Sequence, residues 1–177
     1  LDYETLKLNI GTKHKITAAI SPLNAANRNV IWSSSDTAVA TVDANGYVNA
    51  ISLGTAYITA VTEDGGFYAM CVVEVTSKVT GVSLDSNELT LSRGTVAYLS
   101  ATVYPSNATD LSLIWSSSDD SVVSVIDGFI TAHSAGTAKI TVKTADGGYT
   151  ASCDVTVVVY VTGVTISDPM YWLALGS

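Results

Sequence analysis

Charge is scarce in this chain. Only 14 % of its 177 residues are charged, and 8 Lys+Arg stand against 16 Asp+Glu. Nucleic-acid binding needs a basic stripe and an anionic bilayer needs a polybasic cluster, and this balance supplies neither. The acidity is spread out. Residues 1–81 carry 5 basic and 7 acidic side chains, for −2, and residues 82–163 carry 3 and 8, for −5. Such a distribution describes a solvated surface and not a charged binding tail. Long apolar runs are missing too: no stretch of eighteen occurs, so no membrane insertion by a helix is expected. The apolar run Val155-Thr156-Val157-Val158-Val159-Tyr160-Val161 is β-branched and of strand length. No signal peptide is expected at the start of the residues given, which leaves room for one upstream.

Catalytic signatures are equally absent. Serines are plentiful, yet no G-x-S-x-G elbow is present. Carboxylates do not pair at repeated positions. The Gly-Gly pairs sit in hairpin turns and not ahead of a helix, so no phosphate cradle is expected. No D-x-[DN]-x-[DN]-G loop occurs for calcium, and His14 and His133 have no His/Cys cluster around them for zinc. Catalytic, cofactor and metal residues are therefore all read as none, and the chain as no enzyme.

What is present is a repeat. Ile31-Trp32-Ser33-Ser34-Ser35-Asp36 returns as Ile114-Trp115-Ser116-Ser117-Ser118-Asp119, with the tryptophans 83 residues apart. A period of this size means one module written twice, each copy large enough for its own core. The expected boundaries are 1–78 for the first copy, its first strand truncated, 79–160 for the second, and 161–177 for the start of a third. Leu1-Asp2 aligns with Leu84-Asp85, which lies inside a repeat, so the chain is expected to be a piece of something longer.

Within each copy the hydrophobic period is two. Leu6 and Leu8 answer to Leu89 and Leu91, and Ile16, Ala18 and Ile20 to Leu99, Ala101 and Val103. Strict alternation predicts strands with one buried face. Pro22 and Pro105 stop the second of these, since proline cannot donate to a ladder. Asn45-Gly46 and Asp127-Gly128 predict tight hairpin turns at positive φ. Phe67, Ala69, Cys71, Val73 and Val75 are expected on the buried face of the last strand, as are Tyr149, Ala151, Cys153, Val155 and Val157. Seven or eight short strands per copy, with no helical period, predict an all-β fold of two tandem β-sandwiches. The short, β-branched linker predicts a rod-like arrangement.

These motifs resemble the bacterial immunoglobulin-like domain, group 2. The residues that carry the likeness are Val79-Thr80-Gly81-Val82, Leu89 to Gly94, Pro105, Trp115 to Ser118, Gly136 to Thr141, Asp146 to Gly148 and Ala151 to Val157. Repeat one adds Val39-Ala40-Thr41-Val42-Asp43, where repeat two departs with Val122-Val123-Ser124-Val125-Ile126. The likeness covers essentially the whole chain. It implies immunoglobulin-like sandwiches of the kind found in tandem in intimin- and invasin-like adhesins, cell-wall enzymes and phage virion proteins. It implies an extracellular, bacterial cell-surface setting and a structural or adhesive role as a spacer or stalk. The partners it implies are adjacent domains of the same chain and a host or cell-surface protein or glycan. A carbohydrate-binding accessory module of a glycan-active enzyme is the alternative.

Several residues invite a sharper reading. Cys71 and Cys153 occupy one position in successive copies, a domain length apart, too far for a disulfide, so they read as buried free thiols. Trp32 and Trp115 share a face with an aliphatic residue and read as sandwich core instead of sugar platforms. Tyr3, Tyr47, Tyr57, Tyr68, Phe129 and Tyr171 fall mostly on polar faces and are the contact candidates. Asp36, Asp43, Asp119, Asp120 and Asp127 lie at turns, where capping explains them. Asn107-Ala108-Thr109 is a sequon of little weight in a bacterial-type protein.

Overall fold

A computed structural model describes residues 1–165, and residues 166–177, with Tyr171 and most of the expected third repeat, lie outside the described residues. Among the described residues every regular element is a strand, sixteen in all. Repeat one contributes β1 (Thr5–Asn9), β2 (Lys13–Lys15), β3 (Val30–Ser34), β4 (Ala40–Val42), β5 (Tyr47–Ala50), β6 (Gly54–Thr62) and β7 (Tyr68–Thr76). Repeat two contributes β8 (Gly81–Leu84), β9 (Glu88–Ser92), β10 (Val96–Tyr98), β11 (Ala101–Tyr104), β12 (Leu113–Ser117), β13 (Val123–Ile126), β14 (Phe129–Ala132), β15 (Gly136–Thr144) and β16 (Thr150–Val158). Packing separates two compact units, 1–83 with 102–114 and 143–150, and 84–101 with 115–142 and the residues from 151 on. That division cuts β12, β15 and β16 in mid-strand, so the sheets, which keep those strands whole, define the sandwiches better.

In repeat one a four-stranded sheet, β1-β7-β6-β3, faces a three-stranded sheet, β2-β5-β4. The first and last strands pair in parallel, Leu6 beside Val73 and Leu8 beside Val75. Alternation does its work here: Leu6, Leu8, Ile16, Val48, Ile58, Cys71, Val73 and Val75 form one buried cluster. Repeat two uses the same plan, β9-β16-β15-β12 over β10-β14-β13, with Leu89 beside Val155 and Leu91 beside Val157 in parallel. Its cluster contains Leu99, Val123, Ile130, Ile140, Cys153, Val155 and Val157. No buried side-chain polar atom among the described residues lacks a partner.

Three expectations are corrected. Phe67 and Tyr149 are not core: they are 75 % and 41 % exposed. They precede β7 and β16, which begin at Tyr68 and Thr150, and their rings lie over Gly65 and Gly147 of the preceding turns. Asn45 is not at positive φ, whereas Asp127 is, at 49°. Repeat one is a residue longer here, and its four-residue loop is held by Asp43, whose Oδ1 accepts the N–H groups of Asn45 and Tyr47. Finally, Ala18 to Ile20 form no strand, although their equivalents in β11 do. In repeat two the partner of β11 is β8, and the positions equivalent to β8 in repeat one fall at and before Leu1, the first residue given.

Candidate contact surfaces

The tryptophans support the core but are not sealed in it. Trp32 and Trp115 are partly buried and pack against the two clusters. Each indole lies over the glycine of the following hairpin, Gly46 or Gly128. Both glycines have φ near +80° (79° and 84°), and an added Cβ would come within 2.3 Å of the Ile16 carbonyl oxygen or 2.6 Å of that of Leu99. Only glycine fits this close approach. The outer edge of Trp32 borders an open groove of about 250 Å³ with Lys15, Arg28 and Asn45.

The cysteines are free and buried. Loss of solvation raises both thiol pKa values, reinforced by the negative charge of Asp2 near Cys71 and of Asp154 near Cys153. A protonated thiol is a poor nucleophile.

The aspartates serve turns. Asp36 Oδ1 accepts the N–H of Ala38, and Asp119 Oδ1 accepts both the N–H and the hydroxyl of Ser121. The Ser121 bonds hold the Asp119 carboxyl below its ordinary range. The Tyr47 N–H, then that of Asn45, does the same for Asp43. Among the described residues no three His, Cys, Asp or Glu side chains gather as a metal set would. His14 lies edge-on to Tyr3, ring centroids 5.2 Å apart, and His133 Nε2 meets the Ser124 hydroxyl at 2.7 Å.

The exposed aromatics do gather. Tyr47 and Phe129 are equivalent positions, opening β5 and β14 on the outer face of each three-stranded sheet. Tyr47 lies opposite Lys15, with Lys13 Nζ 4.5 Å and Lys15 Nζ 5.5 Å from its ring centroid. Phe129 lies opposite Tyr98, rings 4.9 Å apart and tilted by 56°. Tyr98, Phe129 and the neighbouring Val96 and Ile126 are all more than half exposed. Thus Lys13 and Lys15 in one copy become Val96 and Tyr98 in the other, and the same strand position presents an aromatic flanked by cations or by apolar groups. Sequence reasoning named Tyr47 and Phe129 but missed Tyr98, whose cross-strand register with Phe129 was the available signal. Tyr3, Tyr57 and Tyr68 are exposed as well.

The domain model of the bacterial Ig-like domain, group 2, matches residues 1–73 and again 78–155. The chain belongs to this family. Ig-like domains of group 2 are generally non-catalytic and here form a structural module. The chain is 40 % identical over 161 residues to an uncharacterized protein of Clostridium acetobutylicum, covering 89 % of this chain and 16 % of that protein. It is 36 % identical over 160 residues to an Ig-like virion protein of Serratia phage KSP90, covering 87 % of this chain and 62 % of that protein. A shorter match, 51 % identical over 61 residues, is to an alpha-L-arabinofuranosidase of Bifidobacterium longum, covering 34 % of this chain and 6 % of the enzyme. The chain therefore spans less than two thirds of the length of each of these relatives.

Proposed function

We propose that this chain is a non-catalytic structural spacer or stalk of a larger bacterial surface or phage virion protein, and that it carries tension. The observation that supports this most is the pairing of terminal strands. In each sandwich the first and last long strands run parallel through five residue pairs, Thr5–Asn9 on Val72–Thr76 and Glu88–Ser92 on Asp154–Val158. A pull applied to the two ends of a copy loads such a ladder in shear. Its bonds resist together and do not open one at a time. The virion relative supports a particle or surface setting. In the parent protein, replacing both repeats with unrelated sandwiches of equal length should preserve attachment to the parent's target; loss of attachment would refute the spacer reading.

A second reading has its own observation. The Tyr98–Phe129 pair and the lysine-flanked Tyr47 are the surfaces a glycan would stack on, and one relative is a glycosidase. Glycan binding abolished by Tyr47→Ala or Phe129→Ala would favour an accessory binding module; binding unchanged by both would remove it.

A further inference from the structure

The two copies differ on one face. In repeat one, the side of the four-stranded sheet that turns away from the core is apolar. Cross-strand register sets out its rows: Ile31 beside Val61 beside Tyr68, then Ser33 beside Thr59 beside Met70, then Tyr57 beside Val72. Ser35 borders the last row, its hydroxyl accepting the Tyr57 N–H. Tyr68 is 75 % exposed, Ile31 58 %, Met70 50 % and Tyr57 46 %, and Val61 and Val72 are half-buried among them. In repeat two the same positions on β15 and β16 hold Lys139 for Tyr57, Lys143 for Val61, Thr150 for Tyr68, Ser152 for Met70 and Asp154 for Val72. Where repeat one sets Tyr57 beside Val72, repeat two sets an ion pair, Lys139 Nζ to Asp154 Oδ1 at 2.6 Å. The fold therefore does not require an apolar surface here; repeat one carries one and repeat two does not.

We propose that this face pairs with the same face of a second copy of the chain, sheet on sheet, about a two-fold axis that crosses the strands at the Ser33–Thr59–Met70 row. Such an axis keeps each strand over its own copy and exchanges the rows on either side. Tyr68 then lies on the partner's Val72, Tyr57 on the partner's Val61, and Met70 on the partner's Met70. Each ring meets an aliphatic seat and no charge is buried, so the pattern is self-complementary. Electrostatics favour this face over others. The chain carries −8, and two copies repel least where they meet without net charge; the charged residues bordering the rows, Lys7 and Glu74, neutralise each other at 3.0 Å. A sugar fits less well, because aliphatic side chains outnumber the hydroxyls that could bond to it. The size is also right for a weak pair. Two tyrosines and four aliphatic side chains make a patch on the order of 400 Å². Two such faces with their polar rims reach the low end of specific interfaces, about 1,200 Å² in total.

The test is sedimentation velocity of the 177-residue chain from about 10 μM to about 1 mM, the range of a weak interface. The average mass should rise from the 18.4 kDa of one chain towards twice that value and stop there, because a two-fold contact closes on itself. Val72→Asp, and Tyr68→Thr with Met70→Ser, install the residues that repeat two holds at the same strand positions. Each should weaken association at least about tenfold while repeat one keeps its melting midpoint. A second measurement reads the register. A short bis-maleimide should join two Met70→Cys chains, whose new thiols face each other, and leave Tyr57→Cys chains single; the native thiols are buried. A mass fixed at 18.4 kDa throughout, growth beyond a pair, association indifferent to both sets of substitutions, or cross-linking of Tyr57→Cys in place of Met70→Cys would overturn the proposal.

Discussion

Replacing Trp115 by alanine probes how each sandwich is held. The indole packs on the cluster around Leu99, Ile130 and Ile140 and covers the Asp127-Gly128 hairpin. A fully buried Trp→Ala change costs about 3–5 kcal/mol. Trp115 is only partly buried, which places its loss at about 2–4 kcal/mol. A domain of this size holds about 5–15 kcal/mol in total, and each kcal/mol moves the midpoint by about 4–8 °C. Repeat two should therefore melt some 10–25 °C lower, while repeat one, with its own Trp32 and its own cluster, keeps its wild-type midpoint. Calorimetry should show two separated transitions. Circular dichroism should assign roughly half of the strand signal to each. A single transition at the wild-type temperature would mean that Trp115 supports nothing, and the strand register of repeat two would fall with it.

Four further outcomes follow from the same geometry. Gly128→Ala should cost about 1–3 kcal/mol, because a Cβ meets the Leu99 carbonyl oxygen at positive φ; an unchanged melt would contradict the close approach. Cys71 and Cys153, buried and with raised pKa values, should react with a thiol reagent only on unfolding; fast labelling without denaturant would refute their burial. Calcium chelation should leave the midpoint unchanged, since Asp36, Asp43 and Asp119 already bond to backbone N–H groups; a drop restored by calcium would make them ligands. Asp43, Asp110 and Asp119 have folded pKa values below their ordinary range. Their stabilisation is present above the unfolded pKa of about 3.9 and is lost as pH falls through the folded values. An acid titration should thus destabilise the protein below about pH 4, and stability that rises there would contradict these turn bonds.

Much of this was legible in the sequence because a half-buried strand writes its burial as alternation. Leu6, Leu8, Ile58, Cys71 and Val73 followed that rule. Phe67 and Tyr149 broke it, because the alternating phase continues through a turn although the strand does not. The turn at Asn45 was misread because a dipeptide does not reveal loop length; one additional residue turns a two-residue hairpin into a four-residue loop organised by Asp43. A strand at Ala18 to Ile20 needs a pairing partner, which local periodicity cannot encode. The Tyr98–Phe129 pair likewise exists only through cross-strand register.

Force spectroscopy tests the central claim most directly. The whole chain is held between handles at its two ends and stretched at constant speed. Each copy contributes about 70–80 residues to its unfolding step, or about 25 nm of extended chain at about 3.3–3.6 Å per residue. Two self-contained sandwiches whose terminal strands are loaded in shear predict two separate force peaks, each followed by a gain of that size. Asp substitution at Leu8 or Leu91, which lie opposite Val75 and Val157 in the parallel ladders, should remove one peak and spare the other. A single step of about twice the length, or extension without resolvable peaks, would contradict the account.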